Sequence, residues 1–415
     1  MARKRRGRDE GSIYQRKSDN LWVGNISLGQ DAEGNRIRPT VYGKTKGEVK
    51  EKLKGLEQDA LNGKPTKNEK ITVDKHFQDW LRVKRAEVKS TTHSNYSSIY
   101  DAHIKPHFGG LQLKVLNYRR VNALYEMLDE KGLSRRTVGY VALILRAGLD
   151  DAVRKGLIPT NQAKLAATRR QDKKEASFLD QEKVKAFINA CKGERLEYGF
   201  ILALHTGLRP GEWLGLPWDA VDLENKRITV KQALNEQGGK VWLDDVKTDA
   251  GRRTISLSDI AVEALKRQYV KQLEEKVALQ KEGWVNTHNL AFTNTKGGLL
   301  RRTNVARRAF KGILFKMAKE ILGEDKLPLV EGKNKKKKVD RPGAISQAGL
   351  DGISLHTLRH THVSILIFQG VDIKTISSRI GHEDVAFTLQ VYGHLLPGQD
   401  ERAAEQMNAF PKSLS

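Results

Sequence analysis

Residues 199–221 read "GFILALHTGLRPGEWLGLPWDAV", which predicts a strongly apolar helix, a turn that contains glycine and a second helix. The apolar run before the turn is typical of a helix that is buried in a domain core. Arg209 lies in the turn and Glu212 stands three residues later, a spacing at which the two side chains can pair. Such a pair is by itself an ordinary structural feature. Its meaning depends on which other residues the fold brings to it.

The chain around this stretch, from Phe178 onward, reads as a mixed α/β unit. We expect Asp180 to cap its first helix, and short strands at "RITVKQ", "KVWLDDVK" and "RRTISLS". Further helices are predicted at about 259–281, at about 303–322 and from 354 onward. The segment 331–349 is basic and shows no periodicity. We therefore expect it to be an exposed loop whose charges are solvated, with contact to a DNA backbone as the alternative.

A small module of residues 1–64 comes first in the chain. The stretches "SIYQR", "LWVGNISLG" and "RIRPTVY" read as strands separated by turns. Thr45 and Glu48 then stand in the arrangement of a capping box at the start of a helix. We predict a three-stranded sheet plus one helix. This module either enters a DNA groove or contacts another protein.

A helical module of residues 71–167 follows. Its apolar residues recur at helical spacing, Ser90–Thr92 resemble an N-cap, and Arg135 and Arg136 lie in the first turn of a later helix. Residues 167–177 are predicted to be an exposed linker. We therefore expect a multidomain chain, mainly α with small β elements, whose third domain spans 178–400 and is followed by a tail of residues 401–415.

The composition indicates a polyanionic partner. The 415 residues include 74 Lys and Arg against 50 Asp and Glu, and the formal net charge is +24. Such an excess favours association with phosphates through electrostatic steering and counterion release. A ribosome-associated protein or a merely basic surface is the alternative. Cys191 is the only cysteine, which excludes internal disulfides and suits a reducing cytoplasm. No stretch has the roughly 18 apolar residues of a membrane span, and the basic N-terminus is not a secretory signal.

Three further motifs carry reactive side chains. In "SLHTLRHTH" (354–362), His356 and Arg359 are separated by three residues and would share one helix face. In "VKTDAGRRTISL" (246–257), Lys247 lies where a strand enters a tight turn. "GHEDVAFTLQVYGH" (381–394) contains His382 and Tyr392. Each motif alone has an ordinary reading, respectively a solvated basic face, a hairpin tip and a packing tyrosine.

Together the motifs suit attack on a phosphodiester without a metal ion. Arginine forks bind the nonbridging oxygens and stabilise the charge that grows in the transition state. Neighbouring cations favour the phenolate form of a tyrosine, which is otherwise a poor nucleophile at neutral pH. A lysine or histidine can protonate the departing sugar oxygen. A covalent phosphotyrosine would conserve bond energy, so that strands could be rejoined without ATP.

The series TGLRPGE, KT, HTLRH, GH and Tyr resembles the tyrosine recombinases, or lambda-integrase family, over residues 178–400. The upstream order of modules resembles the integrases of temperate phages and conjugative transposons. The resemblance implies that Glu212 positions the first arginine and that His356 and His382 assist proton transfer. It also implies that Arg209 and Arg359 hold the scissile phosphate, Lys247 is the general acid and Tyr392 is the nucleophile.

The function implied is site-specific DNA recombination that integrates and excises a mobile element, with no metal or other cofactor. Implied partners are arm-type and core-type DNA sites, a tetramer formed on DNA, and host bending and excision factors, in the cytoplasm of a bacterium. The tail either docks on a neighbouring subunit or frays. A type IB topoisomerase and a catalytically silent DNA-binding regulator remain alternatives. Expected DNA contacts are Arg16, Arg36, Arg38, Thr91, Arg135, Arg136, Arg252 and Arg253.

Overall fold

The structure, a computed structural model, describes residues 12–28, 36, 38–61, 71–168, 177–246, 251–331, 337–395, 404 and 407. It divides into two compact units, residues 1–173 and residues 174–415. Within the described ranges, none of the helices combines the length and the apolar character that crossing a membrane requires.

The first unit opens with the predicted sheet and helix. Strands β1 (Ser12–Gln15), β2 (Trp22–Asn25) and β3 (Thr40–Gly43) pair antiparallel in the order β1-β2-β3, and helix α1 (Lys46–Leu61) follows. An added Cβ at Gly24 would lie 2.5 Å from Val49 and 2.8 Å from Leu53, so the glycine lets the sheet pack directly on α1. The backbone N–H of Glu48 donates to Thr45 Oγ1 over 3.2 Å. The predicted threonine cap of this helix is therefore confirmed.

A helical bundle forms the rest of the first unit. Its helices are α2 (Val73–Glu87), α3 (Ser90–Ile99), α4 (Lys105–Phe108), α5 (Tyr118–Glu130) and α6 (Arg135–Arg154), and a π-helical turn (Tyr100–Ile104) joins α3 to α4. Helix α6 passes so close to α2 that an added Cβ at Gly148 would lie 2.4 Å from the ring of Phe77. The glycine therefore permits this approach. The ring of Phe77 stacks on Tyr100 with centroids 4.9 Å apart. The buried His76 donates a 2.7 Å hydrogen bond from Nε2 to the carbonyl of Gly148.

The start of α3 differs from the prediction. The N-cap position is Lys89, which makes no side-chain capping hydrogen bond. The predicted Ser90–Thr92 cap is wrong because these residues already lie within the first helical turn. The later helices follow the usual rule, since Asn117 caps α5 and Ser134 caps α6 through their side chains.

The second unit begins with three helices and a set of short strands. The helices are α7 (Gln181–Cys191), α8 (Glu197–Thr206) and α9 (Pro210–Leu214). The strands are β4 (Val221–Asp222), β5 (Arg227–Val230), β6 (Gln232–Gln237), β7 (Lys240–Asp245) and β8 (Arg253–Ser256). Strands β4, β5 and β8 form one sheet in the order β4-β5-β8, and β6 pairs with β7 as a separate hairpin. The prediction of one strand at "RITVKQ" is therefore wrong at its end, because the chain changes sheet between Val230 and Gln232.

Helices complete the second unit. They are α10 (Asp259–Leu279), α11 (Arg302–Asn304), α12 (Lys311–Leu322), α13 (Arg341–Gln347), α14 (Leu355–Phe368), α15 (Ile373–Ile380) and α16 (Val385–Tyr392). A π-helical stretch (Val305–Phe310) joins α11 to α12. Short 3-10 turns occur in both units at Leu113–Val115, Gln162–Lys164, Trp218–Ala220, Gln280–Glu282, Glu324–Lys326 and Gly393–Leu395.

An aromatic core holds the predicted helix–turn–helix of residues 199–221 in place. Phe200, Trp213 and Phe292 are fully buried in it. An added Cβ at Gly199 would lie 2.6 Å from the ring of Trp213, so this glycine permits the close approach of α8 and α9. The predicted cap of α7 is confirmed, because Asp180 accepts a 2.8 Å hydrogen bond from the backbone of Lys183.

The basic segment 331–349 is more ordered than its composition suggested. Strands β9 (Leu329–Glu331) and β10 (Lys337–Val339) pair antiparallel, and α13 follows with Ala344 fully buried. Residues 332–336 lie outside the described residues. The prediction of an exposed loop is therefore wrong for residues 337–349. Pro342 at the start of α13 and the buried alanine give this segment a local structure that charge counting missed.

Candidate active site

A cleft of about 670 Å³ opens on the second unit. It is lined by the start of α9, the β6–β7 hairpin, the start of α14 and the chain that follows α15. Three residues predicted from separate motifs meet along it, namely Arg209, His356 and His382. The cleft is therefore the place where the sequence motifs converge.

The turn before α9 aims Arg209 at this cleft. Gly207 has φ of +67°, a left-handed conformation that closes α8, and an added Cβ there would lie 2.6 Å from the ring of His362. Arg209 Nη1 donates to Glu212 Oε1 over 2.9 Å, and Arg209 Nη2 donates to the carbonyl of Gly381 over 2.9 Å. The guanidinium remains 37% exposed, so it is held in place and still open to a ligand.

Glu212 is the carboxylate that organises this region. It is buried, and it accepts hydrogen bonds from the backbone N–H and the side chain of Arg209 and from both terminal nitrogens of Arg253. Burial opposes ionisation of the carboxyl, but the hydrogen bonds and charges of Arg253 and Arg209 outweigh it and hold the pKa of Glu212 below its usual value. The positioning role expected for Glu212 thus involves two arginines.

Arg253 was expected to contact DNA, and this prediction is wrong. Its side chain is only 8% exposed, and its Nε donates to the carbonyl of Arg379 over 2.7 Å. Because β8 alternates its side chains between two faces, Arg253 points inward with the buried Ile255, whereas the neighbouring Arg252 is exposed. Arg253 therefore belongs to the interior of the site.

Arg359 lies on α14 and is 1% exposed. Its Nη1 donates to the carbonyl of Gly207 over 3.0 Å, while its buried Nη2 has no hydrogen-bond partner in the part of the chain that the structure describes. Burial and the charge of Arg209 lower the pKa of Arg359 to about 9, so the guanidinium stays protonated at pH 7. A buried cation with an unsatisfied donor is costly, and an anion would complete its hydrogen bonding.

Two histidines face the cleft as neutral rings. Partial burial, followed by the charges of Arg359 and Arg209, lowers the pKa of both His356 and His382 to about 4. His382 Nδ1 is hydrogen-bonded to Thr388 Oγ1 at 2.8 Å, which fixes the ring after the left-handed turn at Gly381. At neutral pH these rings can serve as hydrogen-bond donors or proton carriers.

Tyr392 ends α16 and is fully buried against Val363, Ile376 and other apolar residues of α14 and α15. Its hydroxyl lies 2.6 Å from His360 Nδ1. Burial raises the pKa of Tyr392 to about 12 although the positive charge of Arg359 opposes the shift, so the side chain is a phenol at neutral pH. His360 is a residue that sequence reasoning missed. Its position one helical turn after His356 was the available signal.

Acidic side chains occupy the remaining rim of the cleft. Asp244, Asp245, Glu383 and Asp384 are exposed members of its lining. Like charges repel a phosphate, so these carboxylates restrict an anionic ligand to the end of the cleft that holds Arg209 and His356.

Lys247 falls in residues 247–250, outside the described residues, between the ends of β7 and β8. The predicted DNA contacts Arg36, Arg38, Arg135 and Arg136 are exposed in the first unit, and Thr91 is half-buried there. Arg16 is also exposed, pairs with Asp19 and lies over the ring of Tyr42 at 5.4 Å. The residues expected in the second unit are thus Arg209, His356, Arg359, His382 and Tyr392, with Glu212 beside Arg209 as expected. The structure moves Arg253 from the expected DNA contacts to the interior of the site and adds His360.

Chemically, the site combines two guanidinium groups with neutral imidazoles and a protonated phenol, and Arg209, His356 and His382 are the members that line the cleft. The guanidinium forks would stabilise charge on nonbridging oxygens, and the imidazoles can exchange protons with oxygen atoms of the ligand or the phenol. These are the elements needed for nucleophilic attack on a phosphodiester.

Comparison with known proteins identified two family models. The one described as Phage integrase family matches residues 177–398, which is more than half of the chain. The one described as Phage integrase, N-terminal SAM-like domain matches residues 72–122. The first match covers nearly the same residues as the predicted third domain, and the second covers the first part of the predicted helical module.

Curated relatives align over nearly the whole chain. The tyrosine recombinase XerC-like protein of Caldanaerobacter subterraneus subsp. tengcongensis is 27% identical over 404 residues, covering 92% of this chain and 94% of the relative. The ICEBs1 integrase of Bacillus subtilis is 24% identical over 386 residues, covering 92% of this chain and 95% of the relative. Among solved structures, the Tn1549 transposon integrase in complex with a circular intermediate DNA has a TM-score of 0.63 at 19% identity, covering 82% of this chain and 99% of that one. The last similarity concerns the fold.

Proposed function

Because this chain belongs to the phage integrase family and is a tyrosine recombinase, an enzyme that cleaves and rejoins DNA at specific sites, we propose that Tyr392 is its nucleophile. In this proposal Arg209 and Arg359 hold the scissile phosphate, and His356 and His382 line the phosphate site as neutral donors. The product of cleavage is a 3′-phosphotyrosine. Its bond energy is retained for strand joining.

One observation carries the proposal: Nη2 of the buried Arg359 has no hydrogen-bond partner among the described residues. A phosphate oxygen would supply its missing acceptor, and Arg209 is placed to bind a second oxygen of the same group. Glu212 neutralises part of the positive charge before DNA arrives and keeps Arg209 in its rotamer. The preorganised guanidinium groups then stabilise the extra negative charge of the pentacoordinate transition state.

The chemistry needs two proton transfers. Attack by Tyr392 Oη forms the bond to phosphorus while the bond from phosphorus to the 5′-oxygen breaks. The phenolic proton must leave, and the departing 5′-oxygen must receive one. We assign the second transfer to Lys247, on the resemblance of the "KT" motif, which lies in the sequence between β7 and β8 and shortly before the cleft-lining residue Gly251.

The upstream modules are proposed to select the DNA sites. The bundle (residues 71–167) would bind core-type sites and the sheet (residues 1–64) arm-type sites, in the bacterial cytoplasm at the nucleoid. On the sheet, Tyr14 and Tyr42 flank Val23 in register and are exposed, and Arg16 lies over Tyr42, a surface suited to a DNA groove. Solved lambda integrase structures include a dimer on a core site and a tetramer on a Holliday junction. We propose that this chain likewise forms a tetramer on DNA, with host bending and excision factors as further partners.

A covalent trap tests the proposed nucleophile. Duplexes selected by binding from a random pool would carry a nick near the candidate cleavage position, so that a short product strand diffuses away and the adduct persists. The wild-type protein should give an adduct on denaturing gels with one sequence class. Tyr392→Phe should bind the same duplex within a few-fold and give no adduct. An adduct formed by Tyr392→Phe would refute the nucleophile, and adducts of wild type on every duplex would indicate a topoisomerase.

A further inference from the structure

The hydroxyl of Tyr392 has a specific hydrogen-bond partner, His360 Nδ1, at 2.6 Å. The contact joins the middle of α14 to the last residue of α16, and the two ring centroids lie 5.6 Å apart. His360 does not line the cleft, whereas His356, one turn earlier on α14, does. His360 and Tyr392 therefore both lie outside the cleft lining, in direct contact with each other.

The direction of this hydrogen bond follows from the protonation states of its two partners. Burial, with the charges of His356 and Arg359, lowers the pKa of His360 to about 4, so at neutral pH the ring offers one nitrogen as an acceptor. The phenol is protonated and is the stronger donor of the pair. With the ring proton assigned to His360 Nε2, the Tyr392 O–H donates to His360 Nδ1.

Two other histidines near the site, His382 and His362, are hydrogen-bonded to other partners. His382 Nδ1 is bonded to Thr388 Oγ1. His362 Nδ1 is bonded to the carbonyl of Leu204, and its Nε2 accepts from Arg379 Nε over 3.1 Å. Of the described side chains, His360 is the one that has a hydrogen bond with the Tyr392 hydroxyl.

We propose that His360 is a catalytic residue that accepts the proton of the Tyr392 hydroxyl during strand cleavage and returns it during strand joining. The inference rests on the proposed function of Tyr392 and names the general base that takes the phenolic proton. As Oη bonds to phosphorus and the 5′-oxygen leaves, the phenolic proton passes to Nδ1 and His360 becomes an imidazolium. During cleavage the general acid assigned above gives a proton to the departing 5′-oxygen. In strand joining the 5′-hydroxyl returns that proton to the same group as its oxygen attacks phosphorus, the bond from phosphorus to the tyrosine oxygen breaks, and the imidazolium returns its proton to the tyrosine oxygen. Atoms and charge therefore balance in both directions.

The neighbourhood of His360 makes this transfer depend on bound DNA. His356 lies edge-to-face against His360 with centroids 4.9 Å apart, and the Arg359 guanidinium adds positive charge nearby. These groups disfavour an imidazolium in the free protein. A phosphate bound to Arg359 brings negative charge that grows in the transition state, which offsets the repulsion at the moment of transfer.

Single-turnover adduct formation by the full chain on the nicked duplex tests the role. General-base catalysis is typically worth roughly 10²–10⁴-fold, and we expect His360→Gln to lower the rate by an amount in this range. The rate of this variant should rise with pH in proportion to the fraction of Tyr392 that is ionised. The difference in rate between the variant and wild type should therefore become smaller at high pH. His360→Ala with added imidazole should recover part of the rate. His394→Gln, an exposed histidine just beyond Tyr392, is the matched control and should behave as wild type.

A second substrate separates acid from base. A duplex with sulfur in place of the bridging 5′-oxygen releases a thiolate, which needs no proton from an acid. The His360→Gln deficit should therefore persist on this substrate. If His360→Gln instead cleaved this substrate at the wild-type rate, His360 would be the general acid or would assist the general acid, and the proposal would be overturned.

Other outcomes are equally decisive. A wild-type rate for His360→Gln would also overturn the proposal. So would a slow rate that neither high pH nor imidazole restores, if the variant has the melting temperature and the DNA affinity of wild type. Failure of the proposed function is recognised independently, because Tyr392→Phe would then still form the adduct.

Discussion

Arg209 and Arg359 face the same candidate phosphate but are held by different means. Arg209 is 37% exposed and tied to Glu212, whereas Arg359 is 1% exposed and leaves Nη2 unsatisfied among the described residues. In the free protein the first arginine therefore contributes to stability through a buried carboxylate. The second is a buried charge that the fold only partly compensates.

This difference predicts opposite effects on stability for two variants. Arg359→Met should leave the free energy of unfolding within about 1 kcal/mol of wild type or raise it, because an incompletely paired buried charge is removed. Arg209→Met should lower it by about 1–2 kcal/mol, because Glu212 loses a partner. Both variants should lose adduct formation while specific DNA binding stays measurable. Chemical denaturation and the covalent trap provide the two measurements, and a larger loss of stability for Arg359→Met than for Arg209→Met would contradict the assignment.

At the residue level, the sequence could predict which side chains converge but not how each is held. The spacing of His356 and Arg359 placed them on one helix, as the structure shows. The partner of Tyr392 could not be predicted, because the contact with His360 spans two helices whose packing depends on the apolar cluster around Val363 and Ile376. Sequence spacing predicts which side chains are neighbours within one helix, but it does not predict contacts between helices.

At the level of elements, the alternation of side chains along strand β8 already predicts from the sequence which of its two arginines is buried. In "RRTIS", Ile255 is apolar, and side chains two apart share a face, so Arg253 should be the inward arginine and Arg252 the outward one. The structure has this arrangement. Arg253 then links three segments, because it donates hydrogen bonds to Glu212 in α9, to the carbonyl of Gly251 just before β8, and to the carbonyl of Arg379 in α15.

The adjacent arginines provide a matched test of this strand. Arg253→Gln should lower the free energy of unfolding by on the order of 2 kcal/mol, less than the roughly 3–5 kcal/mol of a fully orphaned buried charge, because Arg209 still bonds Glu212. It should also slow adduct formation at least about tenfold, since a small displacement of positioned groups is costly. Arg252→Gln should keep the stability of wild type and, if Arg252 contacts a phosphate, reduce the salt slope of DNA binding by about 1. Equal thermal melts for the two variants would show that Arg253 does not organise the site.

The elements that were mispredicted share a physical cause. The change of sheet between β5 and β6, and the ordered hairpin and helix α13, are produced by pairing between distant or short segments. Hydrophobic periodicity is weak in strands of three or four residues, and a run of lysines hides it further. The long helices α6, α10 and α14 were predictable because their apolar residues repeat over several turns.

At the scale of the whole molecule, the proposed function assigns DNA selection and chemistry to different modules. The residues of the candidate site belong to the second compact unit, whereas Arg16, Tyr42 and the other exposed side chains of the sheet belong to the first. The excess of positive charge over the full chain supports non-specific attraction to DNA, which depends on salt and carries no sequence information. Specific sites must then be read by surfaces of the separate modules.

We therefore expect deletion of residues 1–64 to affect integration but not core-site cleavage. The shortened chain retains the helical bundle and every residue of the candidate site, so it should cleave an isolated core-type duplex at a rate within a few-fold of wild type. Integration between full attachment sites should fall strongly, because arm-type contacts that hold the complex together are lost. The exposed pair Arg16→Ala with Tyr42→Ala in the full chain should reproduce the integration defect while keeping the fold of the sheet. Unimpaired integration by the deleted chain would refute arm binding, and loss of core cleavage by the double variant would show that the sheet acts on the catalytic unit itself.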